Sequence, residues 1–339
     1  MDKLIPRTVS TQSEPASESD EAKSPRTSEE YFTDAFEGSS SSEELEHQLP
    51  PSMEAGFERV SALWDKEFPQ FPKPDPALAH AGLMKADIIS PGKFLTPPEY
   101  EYDAESSFNH GMGQEAAELA HAPILKPTPA VLKARLDEIA KTRRYLAYAA
   151  EGNEYVLHGQ PIEEASKEWG AHVMDDMSEG SRHGYLAQAA RERISTRYQV
   201  FGHVEVGNET IELSSIDMLP GVLDGLAMHH PFNADAIKIK NHALEMLAAA
   251  FCVEPWDLDQ IAASYRLLCH GTPYVNGTPS IIETFIDGML RSRGWALPSK
   301  KSEPFWNAVM HDDEDGPYTW QHFMRNFESP ETTSSPIAT

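Results

Sequence analysis

The first 52 residues are rich in Ser, Glu and Pro, with the run Ser39-Ser40-Ser41-Ser42-Glu43-Glu44, and carry too few large apolar side chains to offset the entropy of ordering. That stretch cannot supply a core, so any folded domain must come from the rest of the 339 residues. It predicts a disordered acidic arm over 1–52, an extended and partly helical connector over 53–120, one helix-rich globular domain over 121–327, and a disordered tail over 328–339. One aromatic island, Tyr31, Phe32 and Phe36 among Glu29, Glu30, Asp34 and Glu37, has the acidic-hydrophobic character of a segment that docks on a partner. Phe57, Val60, Trp64 and Phe68 follow at helical spacing, so Met53–Phe68 reads as a recognition helix or a strap, with Phe57 and Trp64 as further partner contacts.

Helical patterning dominates the remainder. Thr128 as N-cap, Pro129 at the first helical position and the stripe Val131, Leu132, Leu136, Ile139, Leu146 predict a helix to about Ala150. Further helices are expected over Ile162–Met177, from Ser181 to Thr196, over Ser215–Met228, over Ala234–Phe251 after Asn233 as N-cap, and over Pro255–Cys269. Another is expected over Pro279–Arg293, where Ser280 and Glu283 have capping-box spacing. Trp306–Phe327 closes the domain. A short strand is expected at Tyr155–His158, and Tyr198–Val206 with Glu209–Leu213 around Gly207-Asn208 reads as a β-hairpin. The expected class is mainly α, with one small hairpin.

Charge narrows the partners. The chain has 28 basic and 54 acidic residues, a formal net charge of -26, which repels phosphate and disfavours bulk nucleic-acid or anionic-membrane binding. The local exception is 121–150, with six bases against two acids; Lys133, Arg135, Lys141, Arg143 and Arg144 form the candidate surface for an anion or an acidic strand. The arm itself is one such strand. Two cysteines, Cys252 and Cys269, make neither a disulfide framework nor a zinc spacing, and no apolar leader or long apolar run is visible, so a cytoplasmic chain is expected.

No motif names a reaction. His229, His230 and His242 lie close in sequence but lack a ligand spacing such as i, i+4, so neither a metal nor another cofactor is expected. The acidic run Asp312-Asp313-Glu314-Asp315-Gly316 fails as a calcium loop, because His311 and His322 fall where Asp and Glu are needed; it reads as a solvated turn. Gly180-Ser181-Arg182-His183-Gly184 does not have the order of a nucleophile elbow. The expected function is a non-enzymatic interaction or assembly protein that binds a protein partner or itself, with the arm as a regulatory element. Proline-directed sites at Ser24, Ser90, Thr96 and Ser329, and acidic-flanked Ser40 and Ser41, suit control by phosphorylation. The alternatives are a coat or nucleoprotein-like subunit on single-stranded nucleic acid, and a metal-dependent or Cys-based hydrolase around His229, His230, His242, Asp235, Cys269 and His270.

Overall fold

A computed structural model describes residues 71–95, 107–151, 159–164, 171–174, 198–218 and 226–329. The chain divides into two units, Met1–Glu44 and Leu45–Thr339, and every described residue belongs to the second. The arm, the Met53–Phe68 segment, the Tyr155–His158 strand, the helix expected from Ser181 to Thr196 and most of the tail lie outside the described residues.

Within them the fold is mainly helical with minor β-structure. The helices are α1 (Ser107–His121), α2 (Pro129–Glu151), α3 (Asn233–Cys252), α4 (Leu258–Gly271), α5 (Thr278–Arg291) and the short α6 (Pro304–Val309) and α7 (Trp320–Met324). Helix α5 occupies the centre: twelve of its fourteen residues are buried, so it is covered all round rather than along one stripe. α1 and α2 pack on it, and α3 pairs with α4. The α2 stripe behaves as its spacing dictates, with Leu132, Leu136, Ile139 and Leu146 buried and Val131 exposed at the first turn. The Val131 N–H donates to Thr128 Oγ1 at 3.3 Å, which makes Thr128 the cap.

The strands in chain order are β1 (Met84–Lys85), β2 (Gln160–Pro161), β3 (Ala171–Met174), β4 (Tyr198–Val200), β5 (His203–Val206), β6 (Glu209–Glu212), β7 (Ser215–Met218), β8 (Leu226–His229), β9 (Tyr274–Val275) and β10 (Trp295–Ala296). One antiparallel sheet has the order β3-β8-β7-β4, and β5 with β6 forms a separate ribbon. The ribbon keeps the expected hairpin turn, with Val206 opposite Glu209 and Gly207 at φ +65, a conformation glycine adopts without strain. It is shorter than expected because Tyr198–Val200 pairs with β7 in the larger sheet.

Several expected helices give way to other structure. Ser215–Met228 forms β7 and β8, because Ile216 and Met228 face each other across the ladder and both are fully buried. Leu219-Pro220-Gly221 interrupts that run, a turn signal that apolar spacing alone overlooks. Ile162–Met177 likewise becomes a 3-10 turn at Ile162–Glu164 followed by β3, which pairs with β8 from Ala171 opposite His229 to Met174 opposite Leu226. α4 begins at Leu258, where the Asp257 carboxylate accepts from the Gln260 N–H at 3.0 Å. Phe232, not Asn233, is the cap residue of α3 and gives no side-chain bond. The capping box at the start of α5 is absent: Gly277 caps the helix, and Glu283 is drawn into the core by Tyr265. Trp306–Phe327 divides between α6, a 3-10 turn at Asp313–Asp315, and α7.

The segment 71–95 is integral to the core. Leu78, Leu83, Phe94 and Leu95 are buried, β1 pairs with β10, and Trp295 Nε1 donates to Asp75 O at 2.8 Å. Gly92 lies so close to α1 that a Cβ would sit 2.1 Å from Asn109 O, and its φ of +86 also favours glycine.

Candidate functional site

Helix α2 carries the five bases singled out from sequence, and their surroundings divide them. Lys133 bonds Asp137 at 2.7 Å one turn on, and Arg135 bonds Glu138 at 2.8 Å while also pairing with the buried Glu115 at 3.4 Å. The Arg143 guanidinium lies 4.6 Å from the Phe108 ring centroid, a cation–π contact. Arg144 is half-buried, and desolvation lowers its pKa against the opposing charge of Glu164. Lys141 is exposed. The apparent basic surplus of 121–150 is therefore drawn partly into contacts within the domain.

One flank of α2 borders a cleft that sequence reading did not anticipate. Lys133, Leu136 and Asp137 face Lys240, Leu244 and Leu268, with Glu163, Pro273 and Tyr274 completing the lining. The Lys240 ammonium bonds Glu163, and the Tyr274 hydroxyl donates to Asp137 Oδ1 at 2.8 Å. Burial, then the like charge of Lys133, pushes the Lys240 pKa down to about 8, with Asp137 acting the other way. Burial and the neighbouring Asp137 carboxylate push the Tyr274 hydroxyl up. A signal was present in the sequence: Ala236, Ile239, Lys240, Ala243, Leu244 and Leu247 share the buried side of α3, and Lys240 is its one ionisable member.

At the opposite end of α3 several apolar side chains are exposed, with the charged Lys126 and Glu254 among them. Cys252 Sγ lies 3.6 Å from Pro127 O, which brings the end of α3 against the start of α2. Around this contact Leu125 is 86%, Val131 43% and Val253 48% exposed, and Cys252 is exposed too.

The residues of the hydrolase alternative do not converge on a metal. Among the described residues no group of three or more His, Cys, Asp or Glu side chains is placed to hold an ion. Asp235 pairs with Lys238 at 3.2 Å on the first turns of α3. Cys269 is fully buried, and burial pushes its thiol pKa well up, the wrong direction for a nucleophile at neutral pH. His230 is buried with Nδ1 2.8 Å from Ser214 Oγ, while the Ser214 N–H donates to His270 Nδ1 at 3.2 Å. That bond fixes neutral His270 as the Nε2–H tautomer, because Nδ1 must accept. The acidic turn is also less solvated than expected. Asp313 takes Arg266 Nη1 at 2.6 Å and the His203 N–H at 3.0 Å, and Gln199 holds Asp312 at 2.8 Å.

These histidines make stability pH-dependent. Burial first, then Arg266, His230 and His311, holds His270 well below its ordinary pKa; burial, then His311 and Arg325, lowers His322 against the pull of Asp315 and Asp259. A folded-state pKa below the unfolded value of about 6.5 leaves stability intact above that pH. As pH falls below it, the unfolded chain takes up protons that the folded chain refuses. Urea unfolding between pH 7 and 5 should lose up to about 1.4 kcal/mol per pH unit through His270, with a smaller contribution from the less buried His322. His270→Asn should flatten that slope, and an unchanged slope would remove His270 as its source.

Among the described residues no helix is long and apolar enough to cross a membrane. No protein-family model matches the chain, and no curated protein matches it either.

Proposed function

We propose that this chain is a non-enzymatic interaction protein that associates with copies of itself through the corner where α3 meets α2, with the acidic arm regulating that association. The exposed side chains of Leu125, Val131 and Val253, on segments that the Cys252–Pro127 contact brings together, carry this reading, since apolar side chains left in water favour association when a matching face covers them. The engagement of Cys269, His270 and His230 in buried contacts supports it, because each then serves packing. The arm contributes Tyr31, Phe32 and Phe36, residues suited to docking, together with the candidate phosphorylation sites Ser40 and Ser41.

Sedimentation velocity of the full chain over a hundredfold concentration range tests the proposal. Association is expected, and Leu125→Asp with Val253→Asp should weaken it by at least tenfold. Substituting Tyr31, Phe32 and Phe36 together with alanine should shift the equilibrium without changing unfolding. A single monomeric species throughout, or association indifferent to the Asp pair, would overturn the proposal.

A further inference from the structure

Lys240 is one of two buried lysines in the described fold, and the one that faces a cleft. Its side chain is 5% exposed, on the side of α3 that buries Ala236, Ile239 and Leu244. Its Nζ bonds Glu163 from the turn after β2, and it faces the Lys133–Asp137 pair of α2 and the Tyr274 hydroxyl of β9 across the cleft. Leu136, Leu244 and Leu268 line the apolar part. The enclosed space has room for about one water molecule. At the rim the side chains of Lys133 and Glu163 are 40% and 32% exposed.

We propose that this cleft captures small α-oxo acids, of the size of glyoxylate, with Lys240 Nζ as the amine that attacks the carbonyl and Lys133 Nζ receiving the carboxylate. The size of the enclosed space restricts the reacting end to a single carbonyl group, and the exposed position of Lys133 leaves the carboxylate at the rim. Lys133 and Lys240 flank the opening with Asp137 and Glu163 as their partners, so a ligand whose carboxylate lies next to its electrophilic carbon binds by taking the place of Asp137 on Lys133 Nζ.

The chemistry balances within the cleft. Glu163 takes a proton from the Lys240 ammonium, and the freed lone pair forms the C–N bond while the carbonyl π pair moves to oxygen. The nitrogen proton passes to that oxygen, giving a neutral carbinolamine. Glu163 returns its proton to the hydroxyl, which leaves as water as the nitrogen lone pair forms the C=N bond, giving a protonated iminium beside the restored Glu163 carboxylate. Ammonium and carbonyl become iminium and water, with no oxidant or reductant. A lowered amine pKa raises the fraction of neutral nucleophile near pH 7. The Glu163 contact opposes that shift but places the proton acceptor directly on Nζ.

The test uses the unsubstituted full-length protein, treated with glyoxylate and then cyanoborohydride, with reduced adducts mapped by peptide mass spectrometry. Lys240 should be modified at least tenfold faster at pH 7 than the exposed Lys85, Lys126, Lys141 and Lys301. Its rate should rise roughly tenfold per pH unit and level off near pH 8. Lys133→Gln should slow glyoxylate capture several-fold more than formaldehyde capture, which has no carboxylate to lose and responds only to the missing like charge beside Lys240. Adducts spread evenly over exposed lysines would overturn the proposal. So would equal slowing of both reagents by Lys133→Gln, since Lys133 would then not be reading the carboxylate.

Discussion

Arg291→Ala is expected to lower the unfolding free energy by about 3–5 kcal/mol, because it strands a buried carboxylate. Arg291 and Asp287 are both fully buried and meet at 2.5 Å on successive turns of α5. The other Asp287 oxygen accepts from the Leu297 N–H at 2.8 Å. Burial pushes the Asp287 pKa up, and Arg291 and the Leu297 N–H hold it down, so losing the guanidinium leaves desolvation largely unopposed. Arg291 also donates from Nη1 to Ile89 O at 3.0 Å, and its guanidinium lies 5.2 Å from the Phe71 ring centroid, so it fastens the 71–95 segment to the central helix. Urea denaturation gives the magnitude, and hydrogen exchange should show early loss of protection in 71–95. The paired change Asp287→Asn with Arg291→Met should cost clearly less, since it removes both charges. A loss below about 1 kcal/mol for Arg291→Ala would refute this account.

Lys300→Met should have a comparable effect, about 3–5 kcal/mol near neutral pH, with a distinct pH signature. Lys300 Nζ lies 2.6 Å from Glu283 Oε2, with side chains 4% and 0% exposed, and the Tyr265 hydroxyl donates to Glu283 Oε1 at 2.8 Å. Burial raises the Glu283 pKa, opposed chiefly by Lys300. Without Lys300 the folded pKa rises further above the unfolded carboxylate value. A group raised in this way contributes stability below the unfolded pKa and loses it as pH climbs through the folded one. The variant should therefore recover on acidification toward pH 5, in contrast to the histidine effect, which weakens the fold there. Lys300→Met with Glu283→Gln should restore most of the loss at pH 7. A deficit independent of pH would point to lost packing of the lysine stem instead.

Both buried pairs show where sequence reading stops. Leu132, Leu136 and Ile139 were legible because a helix of period 3.6 puts them on one side and nothing else competes for them. Gly207-Asn208 was legible because a tight turn needs a residue tolerant of positive φ. Glu283 was misread because its spacing from Ser280 imitates a cap, whereas the bond that decides its place comes from Tyr265 on another helix. β7 and β8 were misread because Ile216 and Met228 are consistent with a helical stripe until they are seen opposite one another. The cleft combines Asp137, Glu163, Lys240 and Tyr274 from four separate elements, so only the fold assembles it. What α3 could have disclosed was the single charge among its buried positions.

The fastening of 71–95 to the far end of the fold has a consequence for synthesis. Asp75 bonds Arg293 and Trp295, Met84 pairs with Ala296, and Trp320 Nε1 donates to Ala81 O. The partners of this early segment are thus made roughly two hundred residues later. At roughly 5–20 residues per second, a ribosome needs on the order of ten to forty seconds to supply them. During that interval the 71–95 segment lacks the cover that α5 and β10 supply, although Phe94 and Leu95 already have α1 beside them, so the nascent chain depends on a holding chaperone more than its helix-rich content would suggest.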